Sequence, residues 1–316
     1  MEVISLASPV PDTAAYTTPR VLVLGFFDGV HRGHQAVIAK GRAIADQHGW
    51  PLSVLTFADH PAVIYRGADR ATFEYLSPIT EKTALMARFG VDQLFVIQTD
   101  TSFKQVTSQQ FIDRYVVGLD AQIVVAGFDY TFGPRDVANM QTIDQFAQGR
   151  FQAVAVPPVA FNDIKVGSTE IRELLIAGRV DQANDLLGWT YCNTGTVVHG
   201  LQRGRELGYP TANLAVTPNE VVPGIGIYAT RFFVRGQWYP SMTSIGHNVT
   251  FEPNQPLTVE SNLLDFNGDI YGEPAKIVWD HYLRGEVKFS SAQGLIDQLA
   301  QDAAHTRQYY AERTQP

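Results

Sequence analysis

Five short, largely apolar runs punctuate the first half of the chain: Val21–Leu24, Leu52–Phe57, Leu94–Ile97, Ile123–Ala126 and Ala153–Val156. Longer amphipathic stretches separate them, with helical spacing over about His34–His48, Ile79–Phe89 and Ser108–Val117, and again near Ile143. A strand that is apolar on both sides needs cover on both faces, and helices running back between parallel strands supply it. The pattern predicts a parallel α/β sheet with helices on both faces. Ligands on such sheets bind at the carboxyl ends of strands, where the strand order reverses. Ser168-Thr169-Glu170 opens a further helix, because a small hydroxyl caps free N–H groups and an acidic side chain complements the helix dipole. Gly188 ends the helical region.

Beyond about residue 188 the texture changes to short β-rich runs, Gly195–Val198, Ile227–Val234 and Ile277–Trp279. Turn residues lie between them at Arg235-Gly236-Gln237 and Asn267-Gly268-Asp269, and Asn-Gly between apolar runs predicts a hairpin. The second half therefore reads as an antiparallel barrel or sandwich, with a closing helix over Ala292–Arg313. The expected domains are residues 1–187 and 188–316.

Charge and cysteine content narrow the partners. A net charge of -8 gives no footprint for nucleic acid or an anionic membrane surface. The single cysteine, Cys192, can form neither an internal disulfide nor a thiolate zinc site, which fits a reducing cytoplasm. No basic or histidine neighbour in sequence activates it as a nucleophile. The N-terminus lacks a secretory pattern, and no apolar run approaches the ~20 residues a membrane helix needs.

Residues 25–34 read Gly25-Phe26-Phe27-Asp28-Gly29-Val30-His31-Arg32-Gly33-His34, between a strand and a helix. Glycines let the backbone approach a ligand, and the free N–H groups at a helix start favour an anion. Two imidazoles three apart face the same phosphates and, if charged, donate from both nitrogens. A bare His-x-Gly-His arises by chance in about one or two chains in a hundred, so its strand–turn–helix setting carries the specificity. The segment resembles the adenylyl- and cytidylyltransferase superfamily. The fuller string resembles the N-terminal module of bacterial bifunctional riboflavin kinase/FAD synthetases, which implies a Rossmann-like nucleotidyltransferase fold. Thr56-Phe57-Ala58-Asp59-His60-Pro61, Gly127-Phe128-Asp129-Tyr130-Thr131-Phe132-Gly133 and Ser168-Thr169-Glu170-Ile171-Arg172 are similar to that family's further motifs. Gly167 stands where the family usually has Ser, and Pro134–Asn139 replaces a Gly- and Lys-rich loop.

The resemblance implies direct transfer of AMP from ATP to the FMN phosphate, with release of pyrophosphate. It assigns ATP and phosphate binding to Gly25, Phe27, Asp28, Gly29, His31, His34, Asp129, Ser168, Thr169 and Arg172. His31, His34 and Arg172 act on the reacting phosphates. His60 is open between a capping or core role and a functional one.

The second chemical string is Arg203-Gly204-Arg205-Glu206-Leu207-Gly208-Tyr209-Pro210-Thr211-Ala212-Asn213. Thr211 and Asn213, two apart in an extended segment, face one side, and such oxygen ligands suit Mg²⁺ bound together with phosphate. With Gly195–Gly200, Pro223–Ala229 and Val259–Phe266 it resembles the riboflavin kinase module of the same family. That implies phosphoryl transfer from ATP to the riboflavin 5′-hydroxyl, with Glu260 as general base. Gly204, Arg205, Gly208, Thr211, Asn213 and Glu260 would bind ATP and flavin, and Thr211 and Asn213 the metal. Two departures, Ser244–Phe251 and Asn262, are expected to leave base and metal ligands untouched.

Riboflavin, FMN, FAD and ATP are the implied small-molecule partners, and the chain is expected to be a monomer or weak homo-oligomer. Two other readings remain: an enzyme whose first half is silent because of residues 134–139, and a flavin-binding regulator without turnover.

Overall fold

The computed structural model describes residues 1–7, 16–99, 103–200, 204, 207–247 and 257–313. By contact density the chain divides into Met1–Ser168 and Thr169–Pro316.

The first unit is built on a six-stranded parallel sheet. Its strands are β1 (Glu2–Leu6), β2 (Arg20–Leu24), β3 (Leu52–Phe57), β4 (Gln93–Ile97), β5 (Ala121–Gly127) and β6 (Gln152–Val156), in the order β1-β4-β3-β2-β5-β6. The apolar runs anticipated from sequence are the five strands β2 to β6. β1 was not anticipated: it is an edge strand with only Leu6 buried, so no continuous apolar run marks it. After β2 the chain builds outward through β3 and β4, then returns to the other side of β2 with β5. The order reverses between β2 and β5, where such sheets bind ligands.

α1 (Arg32–His48) follows β2 and packs closely on the sheet. A Cβ at Gly41 would lie 2.5 Å from Val23 Cγ2, so only glycine permits that approach. α2 (Pro61–Tyr65), α3 (Ile79–Arg88), α4 (Ser108–Phe111) and α5 (Ile143–Ala147) complete the cover. α4 runs into a π-helical segment, Ile112–Val117, and Phe103, Phe111, Tyr115, Phe95 and Leu24 share one core. A two-stranded ribbon, β7 (Ala160–Phe161) and β8 (Ile164–Lys165), turns through Asn162 and Asp163, both at positive φ.

The second unit begins with the helices α6 (Ser168–Ile176, less its first residue) and α7 (Val180–Leu187). Its body is a closed antiparallel barrel. Strands β9 (Cys192–Val198), β10 (Ala212–Val216), β11 (Gly226–Val234), β12 (Gln237–Gly246), β13 (Thr258–Leu263) and β14 (Pro274–Arg284) follow the order β10-β13-β12-β11-β14-β9, and β9 pairs with β10 to close it. Arg235 and Gly236, at φ 50° and 78°, form the tight β11–β12 turn.

The Asn267-Gly268 hairpin expected from sequence does not form. β13 and β14 are not neighbours in the barrel, and neither Asn267 nor Gly268 has positive φ. The dipeptide instead lies in a crossing loop, because β14 already has β11 and β9 as partners.

α8 (Ala292–Arg313) coincides with the helical segment read from sequence. It lies against β12 through Ala303, Met242 and Leu264, and its buried Asp302 accepts from both Arg284 Nε (2.9 Å) and Nη2 (2.6 Å). α7 is tied to β14 by Asn184, which donates to the Trp279 carbonyl at 2.8 Å. Cys192 is buried in β9 as a core residue.

Candidate active sites

The loop after β2 carries the first site. Phe27 (φ 59°), Gly29 (φ 81°) and Val30 (φ 37°) all occupy left-handed backbone space. Only one of them is glycine, so the loop holds strain that its surroundings must fix. Gly25 is needed because a Cβ there would meet the Phe27 ring at 2.6 Å.

Asp28 is 2% exposed, and its carboxylate accepts from the backbone N–H groups of Leu76 (3.3 Å) and Ser77 (3.1 Å). Ser77 Oγ in turn accepts from Gly29 N–H at 2.7 Å. Asp28, which the family resemblance assigns to the nucleotide, thus also anchors the loop. Ser168 Oγ also holds the loop, donating to the Asp28 carbonyl at 2.9 Å.

His31 is the N-cap of α1, and its Nδ1 accepts from His34 N–H at 3.3 Å. The two rings stack at 3.6 Å, and Phe27 packs edge-on against His34. Burial pulls His31 down to about 4, and holds His34 well below the usual imidazole range with help from the His31 and Lys82 charges. Both rings are therefore neutral at neutral pH. Because Nδ1 of His31 is an acceptor, its proton sits on Nε2, leaving one N–H to donate. His34 Nδ1 is shielded and has no partner.

Stability follows from this with a definite sign. Between pH 6.5 and about 4 the unfolded chain protonates His31 while the folded one does not. The fold therefore loses stability as pH falls through that window, by about 3 kcal/mol at most. Urea unfolding of wild type and His31→Asn at pH 7 and pH 4.5 should show the larger acid loss in wild type. Equal losses would contradict a buried neutral His31.

Lys82, on α3, was missed in the sequence, since one lysine in an amphipathic stretch reads as solvated. It is 2% exposed, its Nζ donates to the Phe26 carbonyl at 2.8 Å, and it lies 3.8 Å from the Phe26 ring centroid. Burial lowers it to about 8.

His60 caps α2 through Nδ1, which accepts from Ala62 N–H at 3.0 Å, and its ring stacks on Phe73 and meets Phe26 edge-on. The capping role is thus present, beside an aromatic group at the mouth of the loop. Asp129 is exposed at the carboxyl end of β5, across the strand-order switch from the loop after β2. Thr169 and Arg172 lie three apart on α6 and share one face of it. The unusual Pro134–Asn139 stretch is compact: Ala138 is fully buried, its carbonyl accepts from Phe132 N–H at 3.0 Å, and Asn139 Nδ2 donates to the Arg135 carbonyl at 2.7 Å.

The second site lies on β10 and β13. Asn213 sits directly across from Glu260 in the ladder. Thr211, two residues earlier on the same side, has its Oγ1 3.2 Å from Glu260 Oε2 and donates to it. Thr258 Oγ1 donates to the other carboxylate oxygen at 3.3 Å. Thr211, Asn213 and Glu260 are thus brought together from positions 49 residues apart in the Thr211–Glu260 pair. A hydroxyl that gives its proton to Glu260 keeps its lone pairs for a cation.

Gly200 makes room for this group: a Cβ there would lie 2.2 Å from Asn213 Nδ2. Gly200→Ala should displace the Asn213 side chain and lower the thermal stability of the barrel. Unchanged thermal unfolding would show that the space at Gly200 is not needed.

Gly208 has φ +82°, and Gly204 abuts the Tyr209 carbonyl, 2.3 Å from where a Cβ would be. Arg205 lies outside the described residues. Asn262, expected to be remote, donates to the Pro210 carbonyl at 2.7 Å and so fixes the residue before Thr211. Ser244 stands directly across from Glu260 on β12. Both departures therefore adjoin the site, because antiparallel pairing places them there. Beside Thr211 is a cavity of about 310 Å³ lined by Val197, Leu263, Phe266, Ile270 and Tyr271. Tyr271 is stacked on His199 at 3.7 Å. Among the described residues there is no helix long and apolar enough to cross a membrane.

Comparisons with known proteins agree with this division. An FAD synthetase family model matches residues 13–170, and a riboflavin kinase family model matches residues 187–310. A bifunctional riboflavin kinase/FMN adenylyltransferase from Listeria monocytogenes is 41% identical over 99% of both chains. Its counterpart from Bacillus subtilis is 37% identical over 92% of both. A crystal structure described as a macrolide-efflux protein from Streptococcus pneumoniae superposes with a TM-score of 0.86 at 34% identity, covering 96% of this chain and 99% of that one.

Proposed function

The chain belongs to the bifunctional riboflavin kinase/FMN adenylyltransferase family, and from that premise we propose how its residues divide the chemistry. It is a riboflavin kinase and an FMN adenylyltransferase in one polypeptide.

In the kinase, Glu260 accepts the proton of the riboflavin 5′-hydroxyl as that oxygen attacks the γ-phosphorus of ATP and ADP leaves. The observation that carries this is the Thr211–Glu260 hydrogen bond at 3.2 Å, with Asn213 across the ladder. Thr211 and Asn213 offer hard oxygen donors, and the space at Gly200 accommodates the Asn213 side chain, so these residues fit Mg²⁺. When bound, the ion neutralises charge on phosphate oxygens. Asn262 holds Thr211 in register, and the cavity beside it, lined by apolar Leu263, Phe266 and Ile270 and by polar Asn267 and Asp269, takes a planar substrate ring that carries polar edges.

In the adenylyltransferase, an oxygen of the FMN phosphate attacks the α-phosphorus of ATP and pyrophosphate leaves. No covalent nucleophile is needed, since positioning and charge neutralisation supply the rate. The loop amides and the N-terminus of α1 receive the triphosphate. His31 Nε2–H donates to an oxygen that gains charge in transfer, and His34 supports the His31 ring by stacking. Thr169 and Arg172 hold phosphate oxygens, and Asp129 contacts a substrate at the switch point. The compact 134–139 turn is a substitute for the usual loop and leaves β5 and its end intact.

The lone cysteine and acidic charge support a cytoplasmic enzyme acting on free flavins and ATP. ATP labelled at the α- or γ-phosphorus tests the division. The γ label should enter FMN, and the α label should enter FAD only. An α label in FMN would overturn the assignment.

A further inference from the structure

We propose that Lys82 is a positioning residue of adenylyl transfer: its ammonium turns the Phe26 carbonyl away from the nucleotide, locks the strained loop, and sets a positive charge without an ion-pair partner beneath the triphosphate. The inference rests on the reading of that loop as the ATP site.

The carbonyl of Phe26 accepts twice, from Thr56 Oγ1 at 2.8 Å and from Lys82 Nζ at 2.8 Å. The threonine alone would satisfy a buried carbonyl, so the lysine is not there to fill a vacant acceptor. Fixing the direction of that carbonyl fixes the next peptide plane, and with it the Phe27 N–H, which points the opposite way across a trans peptide. Phe27 at φ 59° and Val30 at φ 37° hold their conformations only while the loop is over-determined. The segment around α3 supplies the constraints: Leu76 and Ser77 grip Asp28, Ser77 grips Gly29, and Lys82 grips Phe26.

The charge itself is the second observation. Lys82 is fully buried, yet among the described residues no carboxylate lies within ion-pair distance of it. Its neighbours are a carbonyl, the Phe26 ring at 3.8 Å, Asp28 at longer range, and His34, which its charge helps keep neutral. Burying an ammonium without a carboxylate is costly, and perturbed groups of this sort gather at functional sites. A polyanion on the loop supplies the missing counter-charge. The ionisable groups that act on Lys82 or feel its charge are Asp28 on the loop and His34 on α1. With Lys82 brought down to about 8, the free enzyme should lose its charge in mildly alkaline solution.

The test measures kcat/KM for ATP in FMN adenylylation from pH 6.5 to 9.5, for wild type, Lys82→Met and Lys82→Arg. Riboflavin phosphorylation by the same molecules serves as the internal control. Wild type should fall above pH about 8. Lys82→Met should be about 10–100-fold slower and lack that alkaline limb, while Lys82→Arg restores most of the rate and stays flat. A purely structural lysine would lower the rate but leave the limb in place, and that result overturns the proposal. So does wild-type kcat/KM in Lys82→Met, or an unshifted limb in Lys82→Arg should the Met variant not fold. Wild type that forms no FAD at any pH would overturn the adenylyltransferase reading itself and the role of Lys82 with it.

Discussion

Replacing Glu260 by Gln is expected to slow FMN formation by about 10²–10⁴-fold and to leave conversion of FMN to FAD unchanged. Glutamine has the same shape, and its Oε1 still accepts from Thr211 or Thr258, so the β10–β13 ladder and the placement of Asn213 survive. What disappears is the proton acceptor. Initial rates measured separately from riboflavin and from FMN resolve the two steps. A folded variant that forms FMN at the wild-type rate would remove Glu260 from the chemistry. One that loses both activities would show that the sites are not independent.

The complementary change is His31→Asn, for which FAD formation should fall by about 10²–10³-fold while riboflavin phosphorylation continues. Asn is an effective N-cap, so the bond from His34 N–H and the start of α1 are kept. The Nε2–H donor and the ring stacked on His34 are lost. Wild-type FAD formation by this variant would contradict the use of His31 as a donor to the reacting phosphate. Alanine should cost more than Asn, because it also uncaps the helix.

The sequence made some of this legible and concealed the rest for identifiable reasons. β2 to β5 could be seen because strands buried on both faces show as apolar runs whatever their neighbours, and β6, an edge strand with only Val156 buried, because its Ala-Val run is apolar all the same. His31 and His34 could be seen because their spacing and the strand–turn–helix setting are local. The barrel partners were half visible: Thr211 and Asn213 announce one face by their spacing, but their convergence with Glu260 depends on β10–β13 register across 49 residues. The anchoring bonds of Asp28 and the burial of Lys82 were not legible because their partners, Leu76, Ser77 and Phe26, are remote in sequence. The charge state of the histidine pair follows from burial, which spacing does not report. Asn267-Gly268 misled because turn propensity is local, whereas strand adjacency in a closed barrel is global.

The same lesson applies to Ser244 and Asn262. As departures from the family's pattern they looked peripheral, yet one stands across from Glu260 and the other holds Pro210.

The most direct test of two activities in one chain is a chromatographic time course of riboflavin with the protein, ATP and Mg²⁺. The expected result is loss of riboflavin, a transient rise of FMN, then FAD. FMN as the only product would contradict a working adenylyltransferase and point to residues 134–139, and riboflavin that stays bound but unchanged would contradict the enzyme altogether.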